Sequence, residues 1–280
     1  MTFLDHARYY GLIIKDLRMD GRWHRVPTED KPRKRNGAYL FDGSRGVVKN
    51  WATMENFAQW PERGDRSVQP VDVEEIIARR KKADSEAIEN RAKACRRAAE
   101  DVSMATLATH AYLASKGFPE ASGLVLNGSL VIPMRDYKSN ALVNVQKVDI
   151  TGQKRFLPGG QSKGAVLVLG KKAGAEKWLV EGYATGLSVK TALDAMHRRA
   201  EVWICFSAGN LTFLAGKIPG VRYVVADNDA SGTGQKAAEA TGLPWVMPPV
   251  VGEDANDLHK RAGLWALVKL LREAKCGTMA

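Results

Sequence analysis

Residues 178–195, WLVEGYATGLSVKTALDA, constrain this chain most. A short apolar run, Trp178-Leu179-Val180, ends in an acid, Glu181, and after Gly182 a helical pattern begins. Such a run reads as a strand buried on both faces of a parallel sheet. Open α/β sheets place their chemistry beyond the carboxyl ends of such strands. A carboxylate there either serves a site or has to be compensated, because an unpaired buried charge is expensive. The local alternative is that Glu181 caps the following helix or pairs with a lysine. Which reading holds depends on the partners the rest of the chain supplies.

At 280 residues the chain is long enough for one large domain or two modest ones with a real core. No run approaches the roughly 18 apolar residues of a membrane span. The first residues, mixed and acid-containing, do not read as a signal peptide. Cys95, Cys205 and Cys276 lie far apart, which excludes a disulfide framework and a cysteine-rich zinc ribbon, so a cytoplasmic location and no zinc are expected. The net charge of +11 is uneven: the excess lies in residues 1–178, and residues 179–280 are close to neutral. A basic surface beside a locally acidic pocket suits a polyanionic partner whose phosphates also need a metal.

Along the chain, residues 1–20 carry an amphipathic helical pattern with Phe3, Leu4, Ala7, Tyr10 and Leu12 apolar. Residues 21–60 read as short strands around Trp23 and Val26, then Ala38, Leu40 and Phe41, then Val47, Val48 and Trp51, a small β unit punctuated by glycines. Between its first two strands lies a basic turn with Arg33, Lys34 and Arg35. With Trp23, Tyr39, Trp51 and Trp60 these cations compose a surface on which a single strand of DNA would stack its bases and neutralise its phosphates. The plainer alternative makes the tryptophans a small core and the turn a solvated one. Residues 61–71 read as a linker and 72–103 as a solvated helix joining domains, continued as helix over 104–116 to a C-cap at Gly117. Strands return at 123–128, 129–136, 141–149, 154–160 and 165–170, and then strands and helices alternate to a single terminal helix over 258–274. The expectation is an α/β fold with an α+β N-terminal part, in segments 1–70, 71–103, 104–177 and 178–280.

Three strand ends in the last hundred residues carry acids. Besides Glu181 there are Asp227 and Asp229, in Asp227-Asn228-Asp229-Ala230-Ser231-Gly232 after an apolar strand, and Asp254 and Asp257, in Glu253-Asp254-Ala255-Asn256-Asp257 before the last helix. On adjacent parallel strands they converge at one end of the sheet, where they would repel without a cation. All are hard oxygen donors, which suit Mg²⁺ or Mn²⁺, two ions being expected for phosphoryl chemistry. Asp257 reads equally well as the N-cap of the last helix. The turn Ser207-Ala208-Gly209-Asn210 follows another strand end, where backbone amides would hold a phosphate or simply make a turn. There is no P-loop motif, and no catalytic triad is indicated.

Glu181-Gly182-Tyr183, the Asp227 to Gly232 run and Gly252-Glu253-Asp254-Ala255-Asn256-Asp257-Leu258 resemble the three acidic motifs of the Toprim fold in DnaG-type primases, especially those encoded by phages and plasmids. The likeness extends upstream through Tyr112-Leu113-Ala114-Ser115-Lys116-Gly117, Val131-Ile132-Pro133-Met134-Arg135-Asp136 and the stretch from Asn144 to Gly160, so it covers roughly residues 104–260. The resemblance implies a Toprim domain with a parallel sheet flanked by helices, preceded by a mixed β subdomain and the small N-terminal β unit. It implies metal-dependent synthesis of short RNA primers from NTPs on a single-stranded DNA template. Glu181 would then be the acid near the nascent 3′-hydroxyl, and Asp227, Asp229, Asp254 and Asp257 the metal-site acids. Arg135, Lys147, Lys154 and Arg155 would hold nucleotide phosphates or the template.

Two departures stand out. Such primases usually begin with a zinc ribbon, whose place the N-terminal β unit would take without metal. Asp254 and Asp257 are separated by two residues rather than the one common in bacterial members, which leaves open which of them faces the metal. No helicase sequence follows, so a separate helicase or polymerase partner is expected, and no membrane. The same acids would also suit a Toprim nuclease, and a degenerate fold would suit a non-catalytic DNA-binding accessory factor.

Overall fold

The computed structural model of the chain describes residues 1–61, 73–170 and 175–274, with side chains omitted for 73–80. The linker expected at 61–71 falls, Pro61 apart, outside the described residues, as does Cys276. The chain divides into two compact units, Met1–Glu89 and Asn90–Ala280.

In the first unit α1 (Phe3–Tyr9) starts from a capping box: the Thr2 hydroxyl accepts the Asp5 N–H at 3.2 Å, and the Asp5 carboxylate accepts the Thr2 N–H at 3.0 Å. The helix is shorter than the pattern over 1–20 suggests. Gly11 turns the chain at φ +73°, and Leu12 leaves the helix to bridge Thr28. An antiparallel meander follows: β1 (Trp23–Val26), β2 (Gly37–Phe41), β3 (Gly46–Asn50) and β4 (Ala58–Trp60), the last a three-residue strand with no signal in the pattern. One face packs Tyr39, Phe41 and Val48 against Phe3, Ala7 and Leu12, with the Phe3 and Phe41 rings stacked at 4.3 Å and Trp60 edge-on to both, so Tyr39 and Trp60 belong to this core and not to the exposed platform expected of them.

The long helix α2 (Val73–Met104) belongs to the second unit from Asn90 onward. It is not merely a solvated connector: Ala98 is fully buried against Val131, Val145 and Leu157. The helix expected to continue over 104–116 stops at Met104. Thr106–Thr109 forms an edge strand, β5, and only Ala111–Ser115 is helical, as α3. β-branched Thr106 and Thr109 favour the extended chain, and β5 finds a residue-by-residue partner in β6 (Ser122–Leu126), from Thr106 opposite Val125 to Thr109 opposite Ser122. Gly117, φ +88°, follows the end of α3, as expected for a helix stop.

The sheet continues through β7 (Ser129–Asp136), β8 (Leu142–Val148), β9 (Lys154–Phe156), β10 (Ala165–Leu169) and β11 (Glu176–Val180). Then come α4 (Tyr183–Ala195), β12 (Ala200–Ile204), α5 (Ala208–Ala215), β13 (Arg222–Val225), α6 (Thr233–Glu239) and β14 (Trp245–Val246). The single terminal helix is in fact two, α7 (Ala255–Ala262) and α8 (Leu264–Glu273), because Gly263 at φ +83° ends the first and starts the second. The strand order is β14-β13-β11-β12-β10-β7-β6-β5, with β8 on β7 and β9 on β8. β14, β13, β11 and β12 run parallel, and β10 joins them antiparallel to the remaining strands, so one mixed sheet carries both parts.

Helices cover both faces of the parallel strands. Trp178, Leu179 and Val180 are wholly buried, Trp178 and Val180 in the cluster with α4, Leu179 in the cluster with α5 and α6. Gly186 lets α4 seat closely on β12, since a Cβ there would lie 2.7 Å from the Ile204 side chain. This mixed α/β architecture, a sheet flanked by helices, is consistent with a Toprim fold. Among the described residues no helix is long and apolar enough to cross a membrane.

Candidate active site

The carboxyl ends of β11 and β13 lie side by side because the strands pair in parallel, Trp178 opposite Tyr223 and Leu179 opposite Val224. Glu181 leaves β11 and Asp227 leaves β13 at that end. Backbone bonds tie the neighbouring loops to it: the Phe206 N–H donates to the Glu181 carbonyl at 2.9 Å, and the Asn228 N–H to the Glu253 carbonyl at 3.0 Å. The Asn228 amide also donates to the Pro248 carbonyl at 2.9 Å, so it fastens the Asp227 turn to the loop that delivers Asp254.

Glu181 is half-buried, with the Ala208 N–H at the start of α5 near enough to favour its charged form slightly. Burial pushes its pKa up, the nearby Lys154 ammonium holds it down in part, and Asp229 adds to the rise. Phe206 makes this geometry possible. It sits at φ +66°, rare for a bulky residue, and swings the chain from β12 so that the next amides face the β11 end. Asn210 holds the turn, donating to the Ala165 and Cys205 carbonyls at 2.8 and 2.7 Å and accepting the Gly164 N–H at 2.7 Å. The turn at 207–210 is therefore held beside the acid.

Asp227 is the most perturbed acid of the group. Its pKa is raised to about 7, first by burial, then by the charges of Asp254 and Glu181, with Lys154 opposing and Asp229 adding a smaller push. Its Oδ1 is buried and has no hydrogen-bond partner. Asp229, by contrast, is held down at about 2, chiefly by the Ser231 hydroxyl and by the backbone N–H groups of Gly234 and Thr233, at 2.8 and 3.1 Å. Gly234 is obligatory at the start of α6, since a Cβ there would stand 2.2 Å from the Asp227 carbonyl oxygen.

Asp254 is the N-cap of α7. Its Oδ1 accepts the Asn256 and Asp257 N–H groups at 2.7 and 2.9 Å, and its Oδ2 accepts the Thr185 hydroxyl at 3.2 Å. Asp257 closes the capping box by accepting the Asp254 N–H at 3.3 Å, and it pairs with Lys116 at 3.8 Å. The charge acting on Asp227 is that of Asp254, while Asp257 is turned to the cap and to α3. The helix start expected at Asp257 lies three residues earlier. Behind this group the Tyr112 hydroxyl is buried without a partner, its pKa pushed up to about 12 by burial and by the neighbouring charges of Asp254, Tyr183 and Asp257.

The upstream cations divide. Lys154, on β9, reaches the acids, and its ammonium acts on both Glu181 and Asp227. Lys147 pairs across strands with Arg155 and turns to α2, where it meets Asp101 at 2.8 Å. There it lines a groove of about 570 Å³ with Lys93, Arg96 and Arg97, away from the acids. The Arg155 guanidinium is engaged by Gln153, and Arg135 donates to the Asn140 carbonyl at 3.0 Å in the β7–β8 hairpin. Thr185, the Ala208 N–H, Asn228 and Tyr112 were not marked as site residues by the sequence. Each nonetheless lies in a stretch the sequence singled out: Thr185 and Asn228 beside acids, Tyr112 in the upstream likeness, and Ala208 at a helix start directly after a strand end.

The donor set is carboxylate oxygen throughout, and the orphaned Asp227 Oδ1 is the atom a hard cation would satisfy. Among the described residues no three carboxylate, imidazole or thiolate groups lie close enough to share one ion. Asp229 gives both oxygens to the start of α6, whereas Asp254 caps α7 through Oδ1 alone and leaves on Oδ2, which accepts the Thr185 hydroxyl, a further lone pair for a cation. The arrangement thus fits Mg²⁺, which commonly binds through one or two carboxylates and keeps several waters.

Among solved structures, the chain is similar to the catalytic core of DnaG, at 16% identity and a TM-score of 0.38, with 54% of each chain covered. It therefore spans about half the length of that catalytic-core chain. It is also similar to a chain in the structure of bacteriophage T7 lagging-strand DNA polymerase interacting with primase domains of two gp4 subunits bound to an RNA/DNA hybrid and dTTP. That match has 15% identity and a TM-score of 0.40, over 59% of this chain and 85% of that one. The segment that holds all five acids, residues 177–264, matches the family model of the Toprim domain.

Proposed function

We propose that this chain is a DNA primase, a nucleotidyltransferase that joins NTPs into short RNA on single-stranded DNA. The observation that carries the reading is Asp227: a buried carboxylate with an unpartnered oxygen, flanked by Glu181 and Asp254, at the carboxyl end of a parallel strand. The match of residues 177–264 to the Toprim domain supports it, since such domains generally bind divalent metals. Asp227 and Asp254 would hold Mg²⁺ or Mn²⁺, with Asp229 beside them. Such an ion supplies charge neutralisation at the transferring phosphoryl group.

The chain's own residues do the rest. Lys154 meets the triphosphate and keeps Glu181 and Asp227 from repelling it. Glu181, with its proton affinity raised by burial, takes the proton of the 3′-hydroxyl as that oxygen bonds the α-phosphorus of the incoming NTP and pyrophosphate leaves. Arg135, Lys147 and Arg155, none of which acts on Glu181 or Asp227 as Lys154 does, would meet the template strand rather than the reacting phosphate. A separate helicase or polymerase would bring the chain to its template.

Incubation with labelled NTPs, single-stranded DNA and Mg²⁺ or Mn²⁺ tests this directly. Short RNA products are expected from the native chain and none from Glu181→Gln or Asp227→Asn. DNA cleavage without NTP incorporation would overturn the reading in favour of a nuclease. Unimpaired support of replication by both variants would overturn it in favour of a non-catalytic factor.

A further inference from the structure

The outer face of the N-terminal sheet is built differently from its packed inner face. The strand register sets Trp23, Leu40 and Val47 in one cross-strand row and Arg25, Ala38 and Lys49 in the next. Trp23 is 48% exposed, and two more rings stand beside it from the β3–β4 connection, Trp51 at 46% and Phe57 at 56%. Phe57 lies 5.4 Å from the Trp23 ring, and the Arg25 guanidinium sits 4.1 Å over Trp51.

The loop that offers Trp51 and Phe57 is firmly held. Lys49, only 8% exposed, directs its ammonium at the Met54 and Glu55 carbonyls, 2.8 Å each. Asn50 accepts the Ala52 N–H at 3.0 Å and donates to the Tyr10 carbonyl at 3.1 Å. The Trp51 backbone N–H donates to the Asn36 carbonyl at 3.2 Å, so the basic turn of Arg33, Lys34 and Arg35 ends beside the Trp51 main chain. A lysine is thus buried to fix a surface loop, and the loop holds apolar rings in water. Clustered exposed rings of this kind mark a binding surface.

We propose that this face is a stacking platform for unpaired bases of a single DNA strand. Trp23, Trp51 and Phe57 keep about half their surface in water for bases to stack on, Arg25 backs the Trp51 ring, and Arg33, Lys34 and Arg35 neutralise the backbone. The flanking cations favour a polyanion over an apolar protein surface. The choice of DNA rests on the template assigned above, but the stacking surface does not depend on the catalytic assignment.

Anisotropy of a labelled short oligothymidylate, titrated with the full chain, tests the platform. Trp23→Ala, Trp51→Ala and Phe57→Ala should each weaken binding by about tenfold, and Trp51→Phe by far less. Changing Arg33, Lys34 and Arg35 to Gln should flatten the slope of log affinity against log salt by about 2. In the native chain, tryptophan fluorescence should be quenched on binding, a readout that needs no variant to fold. Asp227→Asn should bind as the native chain does, so loss of synthesis with normal binding touches only the catalytic reading. An absent quench, a combined Trp23, Trp51 and Phe57 alanine variant that binds within twofold of native, or tighter binding of RNA or duplex than of the single strand would overturn the platform.

Discussion

Asp227 gives the sharpest test of the site, because the same burial that prepares it for a cation destabilises the fold without one. Its carboxyl has an ordinary pKa of 3.8 and a folded value of about 7. Below pH 4 the group is protonated in both states and contributes nothing to the difference. Between pH 4 and 7 the folded chain keeps a proton that the unfolded chain has lost, so stability falls as pH rises, by up to about 1.4 kcal/mol per pH unit. Above pH 7 the loss is complete, about 4 kcal/mol for a shift of some three units. Asp227→Asn removes the titration at nearly constant shape. In EDTA the variant should therefore be more stable than the native chain at pH 8, by a few kcal/mol, and nearly equal to it at pH 4. Urea unfolding at a series of pH values measures this directly. Adding Mg²⁺ at pH 8 should raise the native midpoint by mass action and leave the variant unmoved. A variant no more stable than native at pH 8, or a difference independent of pH, would refute the idea that a strained carboxylate awaits a cation here.

Other expectations follow from the same geometry. Lys154→Met should raise the pKa values of Glu181 and Asp227, since their opposing cation is gone, so the acid limb of a pH–rate profile should move to higher pH. Asp254→Asn should abolish Mg²⁺-induced stabilisation, whereas Asp257→Asn should weaken the α7 start by about 1 kcal/mol and leave that stabilisation in place, both read by thermal melts with and without the ion. Gly234→Ala should push against the Asp227 carbonyl, destabilise the fold by roughly 2 kcal/mol or more in urea unfolding and suppress synthesis, which a merely conformational role in α6 would not do.

Much of this site could be read along the chain because its acids sit where local pattern already marks a strand end. Trp178, Leu179 and Val180 announce a doubly buried strand by composition alone, and Glu181 is conspicuous as the break in that run. What the pattern misses depends on long-range pairing. The Thr106–Thr109 segment looks helical beside an alanine-rich helix, and only its partner β6 makes it a strand. Gly263 resembles a tolerated interruption of one helix, and only its positive φ divides that helix into α7 and α8.

Lys147 and Lys154 show the same limit within the candidate site. Both are lysines on neighbouring basic strands, equally suited by sequence to hold a phosphate. The register of β8 against β9 sets Lys154 opposite Val148 and Lys147 opposite Arg155. With side chains alternating between faces, that one-residue step sends Lys154 to the acids and Lys147 to Asp101 on α2. A chemical inventory names both cations, and strand parity selects the one that acts on Asp227. Exchanging Lys147 for Met should therefore leave the acid limb of the pH–rate profile where the native chain has it.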